Sequence, residues 1–265
     1  MSDSTFTLTV LGARGSMAIC RDDTAEFGGS TSCYLVRAAQ ETVLLDAGSG
    51  LLQAPTAFPE SPTILLSHWH IDHLLGLGMY GRLSQAGAHT NLYAPAPSDQ
   101  DVLRQLDALY SPPLWPLSLT GYAGSLNVRA MPARLSLGPL TVDTIEGNHP
   151  GGCLAFRLSF DGRSLVYATD YEHEAASFAR LAAFSRDADL LLYDAQYDLD
   201  TYESHRGFGH STPQMGMELM AASNAKRLLL IHHDPQSTDE TLRTRERLIG
   251  RTDVRFAREG ETIAL

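Results

Sequence analysis

The sequence predicts an α/β protein in which two β-sheets pack face to face with helices outside. Three observations carry this expectation. Short apolar strand-like runs are interspersed with helical periodicity in both halves of the 265-residue chain, a pattern that calls for sheets covered by helices. Hydrophobic residues make up 43% and glycines are plentiful, as in a globular protein with many turns. No repeat, low-complexity tract or linker divides the chain, so residues 1–265 are expected to form a single domain.

Taken in order, residues 5–11 alternate as a strand, and Gly12-Ala13-Arg14-Gly15-Ser16 follows as a turn. Gly28-Gly29-Ser30-Thr31-Ser32 is a second turn, leading into a strand over 33–37. Neither glycine loop has the lysine of a P-loop or dinucleotide spacing, so tight-turn geometry is the default reading. The strand at 41–45 ends in Asp46, which reads either as a turn former or as an acid orienting a ligand histidine. A strand over 63–67, a helix over 74–86, a strand over 91–94 and a helix over 98–110 capped by Ser98 follow. The proline-rich stretch 111–124, with Trp115 and Tyr122, breaks regular structure and reads as a lid or as a surface loop. In the second half, strands are expected at 126–131, 140–145, 154–160, 164–168, 190–193 and 227–231. Helices are expected at 174–184, at 213–222 with Thr212 as cap, and at 240–249.

Charge and cysteine content exclude several classes. The formal net charge is −11, and the arginines of 243–251 include Glu246 and read as an exposed helix face. A long nucleic acid is therefore a poor partner. The N-terminus lacks the charge pattern of a signal peptide, and no apolar run spans a membrane. Cys20, Cys33 and Cys153 lack C-x-x-C spacing and read as reduced thiols of a cytoplasmic protein. Cys153 lies near His149 in sequence, and a buried structural thiol is the expected role.

The chemistry concentrates in Ser67-His68-Trp69-His70-Ile71-Asp72-His73, directly after the apolar run 63–66. Four metal-competent side chains fall within six residues. His68 and His70 are two apart, so at an extended strand end they point the same way. Asp72 and His73 come where the chain is expected to turn, so one turn would serve two ions. The alternative is a histidine-rich polar loop. It leaves imidazoles that repel when protonated and lack partners when neutral and buried. A metal removes both difficulties. His149, Asp170 and His232 each stand at the end of a strand run and would gather at the same sheet edge. The ligand count then closes. His68, His70 and His149 hold one ion, Asp72, His73 and His232 hold the other, and Asp170 bridges.

These segments resemble the metallo-β-lactamase-fold superfamily over almost the whole chain. The carriers are the 67–73 stretch, His149, Tyr167-Ala168-Thr169-Asp170 and Leu230-Ile231-His232-His233-Asp234. The resemblance implies an α/β (α+β) fold, a four-layer αββα sandwich with a binuclear site at one edge. Asp46 matches the superfamily's early strand-end aspartate. Two further segments look most like the ribonuclease Z and phosphodiesterase branch: Leu192-Tyr193-Asp194-Ala195-Gln196-Tyr197 and Gly207-Phe208-Gly209-His210-Ser211-Thr212. In that branch a Gly-His-Ser-Thr segment supplies a histidine that assists the leaving group, which maps onto His210. The competing reading makes His210 only a residue near a helix start at Thr212. Asp72 and His210 are thus the candidate catalytic residues.

The tRNA-gripping arm of ribonuclease Z proper has no counterpart here, which favours a small phosphodiester such as a cyclic nucleotide or cyclic sugar phosphate. The expected reaction uses a hydroxide shared between two divalent ions, with zinc expected and manganese or iron compatible. A homodimer is a further expectation, because relatives in the branch are often dimers. A thioester or lactone hydrolase, or a non-catalytic metal-binding carrier, would keep the same fold. A redox diiron protein fits less well, since that branch usually has an acid where His70 stands. His232 is the expected ligand rather than His233, whose neighbouring position points the other way on a continuing strand. His89, His173 and His205 read as surface or core histidines, with His205 also a candidate for the pocket wall.

Overall fold

The computed structural model describes residues 5–58 and 60–265. Among these, fourteen strands form two sheets of seven. The first sheet runs in the order β14 (Thr262–Ala264), β1 (Phe6–Gly12), β2 (Cys33–Ala38), β3 (Glu41–Leu45), β4 (Thr63–Leu65), β5 (His89–Ala94) and β6 (Ser125–Ala130). The second runs β13 (Val254–Phe256), β12 (Leu228–Ile231), β11 (Leu190–Asp194), β10 (Arg163–Ala168), β9 (Cys153–Phe160), β8 (Leu140–Gly147) and β7 (Arg134–Leu137). Helices α1 (Asp99–Leu109), α2 (Ala175–Phe184), α3 (Leu199–Tyr202), α4 (Pro213–Ser223) and α5 (Asp239–Ile249) complete the regular elements. No helix among the described residues is long and apolar enough to cross a membrane.

Side-chain alternation explains the layering. In β11, Leu190 and Leu192 join the core between the sheets, while Leu191 and Tyr193 join the core under α2, α4 and α5. In β4, Leu65 faces the central core and Ile64 the outer one, which Leu77, Tyr80, Val102 and Leu106 cover. Strands buried on both faces read as unbroken apolar runs, so these short stretches need no polar partner positions. Each such buried leucine contributes roughly 2 kcal/mol.

Topology then places the chemistry. β3 to β6 are mutually parallel, as are β10 to β13. Parallel strands end on one edge, where open α/β sheets keep their crevice. Leu45 pairs with Leu65, Ala168 with Tyr193 and Asp194 with Ile231. Asp46, the turn 67–73, Asp170, Asp194 and His232 therefore leave the two sheets at matching strand ends.

Helix starts agree with the sequence where a hydroxyl caps them. Ser98 accepts from the Asp101 N–H and Thr212 from the Met215 N–H, with Pro213 in the first turn. The expected helix over 74–86 is not formed. The segment makes short 3₁₀ turns at Leu77–Met79 and Gly81–Ser84, after one at Ile71–His73. Gly76 and Gly78 explain the difference. A Cβ on Gly76 would strike the Gly48 carbonyl, and one on Gly78 would strike the Trp115 ring. Glycine also weakens a helix by about 1 kcal/mol per residue relative to alanine. β7, β13, β14 and α3 had no sequence expectation. They are short, and β13 and β14 sit among charged residues such as Arg255 and Glu261. In the 111–124 stretch, Trp115 donates to the Tyr122 hydroxyl, which donates to Gly78 O. Both rings pack on the outer core of the first sheet.

Candidate metal centre

Three residues of the site stand just past strand ends with left-handed backbones: Asp46 at φ 61°, Asp170 at φ 46° and His232 at φ 61°. For non-glycine residues this conformation costs about 1 kcal/mol or more each. It also turns each side chain off its strand direction towards the rim between the sheets. Next to His232, Gly15 has no room for a side chain, because a Cβ would strike the imidazole.

The structure brings together all seven side chains that the sequence singled out as ligands. They form two groups that share Asp170: His68, His70, His149 and Asp170, then Asp72, His73, Asp170 and His232. Within each group the potential ligand atoms lie within 4.8 Å of one another. The two oxygens of Asp170 divide between them. Oδ2 lies 3.5 Å from His68 Nε2 and 3.8 Å from His149 Nε2, while Oδ1 lies 3.2 Å from His73 Nε2 and 3.3 Å from His232 Nε2. Asp72 Oδ2 is 3.3 Å from both His73 Nε2 and His232 Nε2. The Ser16 N–H also donates to that oxygen.

The far sides of the imidazoles fix which nitrogen is free. Asp46 accepts from His73 Nδ1 at 2.7 Å, from Ser67 Oγ at 2.8 Å and from the Tyr167 hydroxyl at 2.6 Å. The Ser67 hydroxyl points its hydrogen at Asp46, so its oxygen accepts from His68 Nδ1 at 2.9 Å. His149 Nδ1 donates to Gly209 O and His232 Nδ1 to Gln196 Oε1, both at 2.8 Å. Each ring is thereby held with Nε2 facing the centre and without a proton when neutral. Asp46 thus acts both in the turn and as the orienting acid, the two roles the sequence left open.

This arrangement demands positive charge. His68 Nε2 and His73 Nε2 are buried and have no hydrogen-bond partner. His149 Nε2 faces His70 Nδ1 at 3.0 Å, nitrogen to nitrogen. Burial, with neighbouring histidines adding to it, pushes His68 well below the usual imidazole range. Burial alone would also depress His73, yet Asp170, Asp72 and Asp46 raise it well above that range. Burial likewise opposes ionisation of Asp170, and the surrounding imidazoles nevertheless hold it well below the usual carboxylate range. A bare cluster of lone pairs and carboxylates is unfavourable in a buried site. Divalent cations fit the donor set, since imidazole and carboxylate suit zinc, manganese or iron.

His210 stands beside the two groups. Its Nδ1 donates to Asp194 Oδ2 at 2.7 Å and lies 4.0 Å from Asp170 Oδ2, and its ring stacks on His232 with centroids 4.8 Å apart. Burial lowers its proton affinity, but Asp194, with Asp170 and Asp72 adding to it, brings the imidazole up to about 9. Asp194 and Gln196 were missed as individual positions. The signal was present in Asp194, an acid ending an apolar strand just as Asp46 and Asp170 do. Asp194, His210 and His232 also form a third ligand-competent cluster.

Other candidates lie elsewhere. His233 is buried with Nε2 donating to Ala257 O, and burial brings it down to about 3. His205 stacks on Tyr197 and is outside the ligand groups. Among His89 and His173, the first bonds Ser125 and the second approaches Glu218 at 3.9 Å. Cys153 is buried and its thiol donates to Thr169 O, and burial pushes it well above the usual thiol range.

Two packed sheets with helices outside and paired histidine–aspartate groups at one edge define the metallo-β-lactamase fold. Residues 41–233 match the beta-lactamase superfamily domain, and the chain belongs to that superfamily of metal-dependent hydrolases. It is 23% identical to the probable metallo-hydrolase YhfI of Bacillus subtilis (strain 168), across 96% of this chain and 97% of that protein. The YhfI crystal structure superposes with a TM-score of 0.74, covering 99% of this chain and 100% of that one. Ribonuclease Z of Prochlorococcus marinus (strain NATL1A) is 24% identical, across 75% of this chain and 79% of that protein. A diphosphatase from the PhnP family superposes with a TM-score of 0.73 at 20% identity, covering 98% of each chain. These relatives bear out the resemblance to the ribonuclease Z and phosphodiesterase branch.

Proposed function

We propose that this chain is a binuclear metal-dependent phosphodiesterase acting on a small phosphodiester, with residues 1–265 working as one catalytic domain. The observation that carries the reading is Asp170, whose two oxygens face separate imidazole groups, with His210 beside them held by Asp194. His68, His70 and His149 would hold one divalent ion and Asp72, His73 and His232 the other, zinc by preference, with Asp170 between them. Bound there, the pair would supply Lewis-acid charge and an activated water near neutral pH. The protein's own groups do the rest. Asp46, Gly209 and Gln196 keep the imidazoles aimed inward. His210, held by Asp194, donates a proton to the departing alkoxide. The thiolate of a thioester departs without a proton and has less need of that donor.

The net charge of −11 favours a small substrate over a long nucleic acid. The free thiols at Cys20, Cys33 and Cys153 favour a reducing compartment, and we place the protein in the cytoplasm on that ground. A homodimer rests on the branch alone. The test is a panel of bis(p-nitrophenyl) phosphate, a thioester and a lactone, with zinc or manganese added and metal content measured. Diester hydrolysis with about two ions per chain is expected. Turnover of the thioester or lactone with an inert diester would overturn the reading.

A further inference from the structure

A row of aromatic rings leads outward from His210. Tyr197 meets His210 edge-on, with centroids 5.8 Å apart. His205 stacks on Tyr197 at 4.4 Å and 25°. Phe208 meets His205 edge-on at 5.4 Å. Along the row exposure rises from 6% at Tyr197 to 59% at Phe208.

Phe208 is held in that exposed place. Gly207 and Gly209 flank it with φ of 91° and 90°, a conformation suited to glycine. The Glu172 carboxylate accepts the N–H of both glycines, at 2.7 and 3.0 Å. Glu172 is tied by its backbone to Asn148, the neighbour of His149. A phenyl ring fixed in water forgoes the burial it ordinarily gains. Apolar side chains also stand exposed at two other points of the site. Met17 follows Ser16, whose N–H holds Asp72, and Ile71 lies within the 67–73 turn. Arg206, two residues before Phe208, is engaged by Glu203 and lies over the Tyr202 ring.

We propose that His205 and Phe208, backed by the buried ring of Tyr197, form the subsite for the substrate's leaving group, and that this group carries a flat aromatic ring, either an arene or a nucleobase. The inference rests on the phosphodiesterase reading. The departing oxygen must come within reach of His210 to take its proton, so whatever is attached to that oxygen lies beside the row that begins there. A planar group stacks on such rings irrespective of its edge pattern.

The experiment compares diesters matched in leaving-group acidity. Benzyl methyl phosphate is set against cyclohexylmethyl methyl phosphate, and a dinucleoside phosphate against its counterpart with an abasic leaving sugar. Hydrolysis is followed by phosphorus NMR on the metal-loaded protein. The ring-bearing member of a pair is expected to have a KM lower by roughly tenfold. The pair that shows the preference tells an arene subsite from a nucleobase subsite. Phe208→Leu keeps an apolar side chain and should remove most of the preference, and His205→Ala should reduce it. Melting temperature checks that both variants remain folded. Equal KM values within both pairs, or a preference untouched by both substitutions, would overturn the inference while leaving the phosphodiesterase reading standing. If no diester is hydrolysed, that reading fails and the inference falls with it.

Discussion

The two ligand groups differ in charge and closure. The group formed by Asp72, His73, His232 and Asp170 is buried throughout and contains two carboxylates. The group formed by His68, His70, His149 and Asp170 has one carboxylate, and its His70 is exposed. Asp46 anchors the first of these directly through His73. His149 depends instead on one carbonyl, Gly209 O, in the loop that Glu172 fastens. A divalent ion gains more from two carboxylates than from one and exchanges less readily where water is excluded. The centre is thus expected to comprise a tight position and an exchangeable one.

Removing Asp170 should abolish that distinction, because both groups use it. Asp170→Ala is expected to lose both ions and to lower turnover by roughly a thousandfold or more, the loss of several kcal/mol of charge stabilisation. Metal analysis beside rate measurement checks it. A variant that keeps either ion at full occupancy would show that the groups are independent. Single removals should then separate them. His70→Ala should empty the exchangeable position and leave about one ion per chain, with chelator titration of the parent showing two phases in the same order. If Asp72→Ala released its ion no more readily than His70→Ala, the ranking by charge and burial would be wrong.

The same contrast explains what the sequence could disclose. The 67–73 turn was legible because its ligands are contiguous and follow an apolar strand. His149, Asp170 and His232 were legible because each ends a strand run. Asp194 ends a strand in the same way, but its partner His210 is sixteen residues on, and only the fold brings them to 2.7 Å. The left-handed turns at Asp46, Asp170 and His232 leave no local mark, since aspartate and histidine carry no glycine signal. The 74–86 helix failed for a related reason. Its apolar spacing is helical, but Gly76 and Gly78 serve close tertiary packing, which outranks local periodicity. The αββα layering came from strand and helix order together with the family resemblance, whereas β13 and β14 are too short for a period to register.

His210 should behave unlike either ligand group. His210→Ala is expected to keep both ions and to lower turnover by roughly a hundredfold or more, as loss of a general acid does. Loss of metal in that variant would make His210 a ligand. The proton it donates is present below about 9 and is lost as pH rises through that value. Asp194 is the largest influence raising it, so Asp194→Asn should move the alkaline fall in kcat to lower pH. An unmoved limb in that variant would detach the acid from the mechanism.

The smallest effect is expected at Gln196, and it sharpens the comparison from the outer side. Its Oε1 accepts from His232 Nδ1, while its Nε2 donates to Ser16 Oγ, beside the N–H that holds Asp72. One amide thereby steadies two side chains of the tight position and none of the exchangeable one. Gln196→Ala should therefore weaken metal affinity about ten- to a hundredfold in a single phase. The more readily released ion should dissociate as in the parent. Chelator competition with a colorimetric metal indicator resolves the two. Weakening spread equally over both phases would mean that the groups relax as one unit through Asp170, and the division into tight and exchangeable positions would have to be given up.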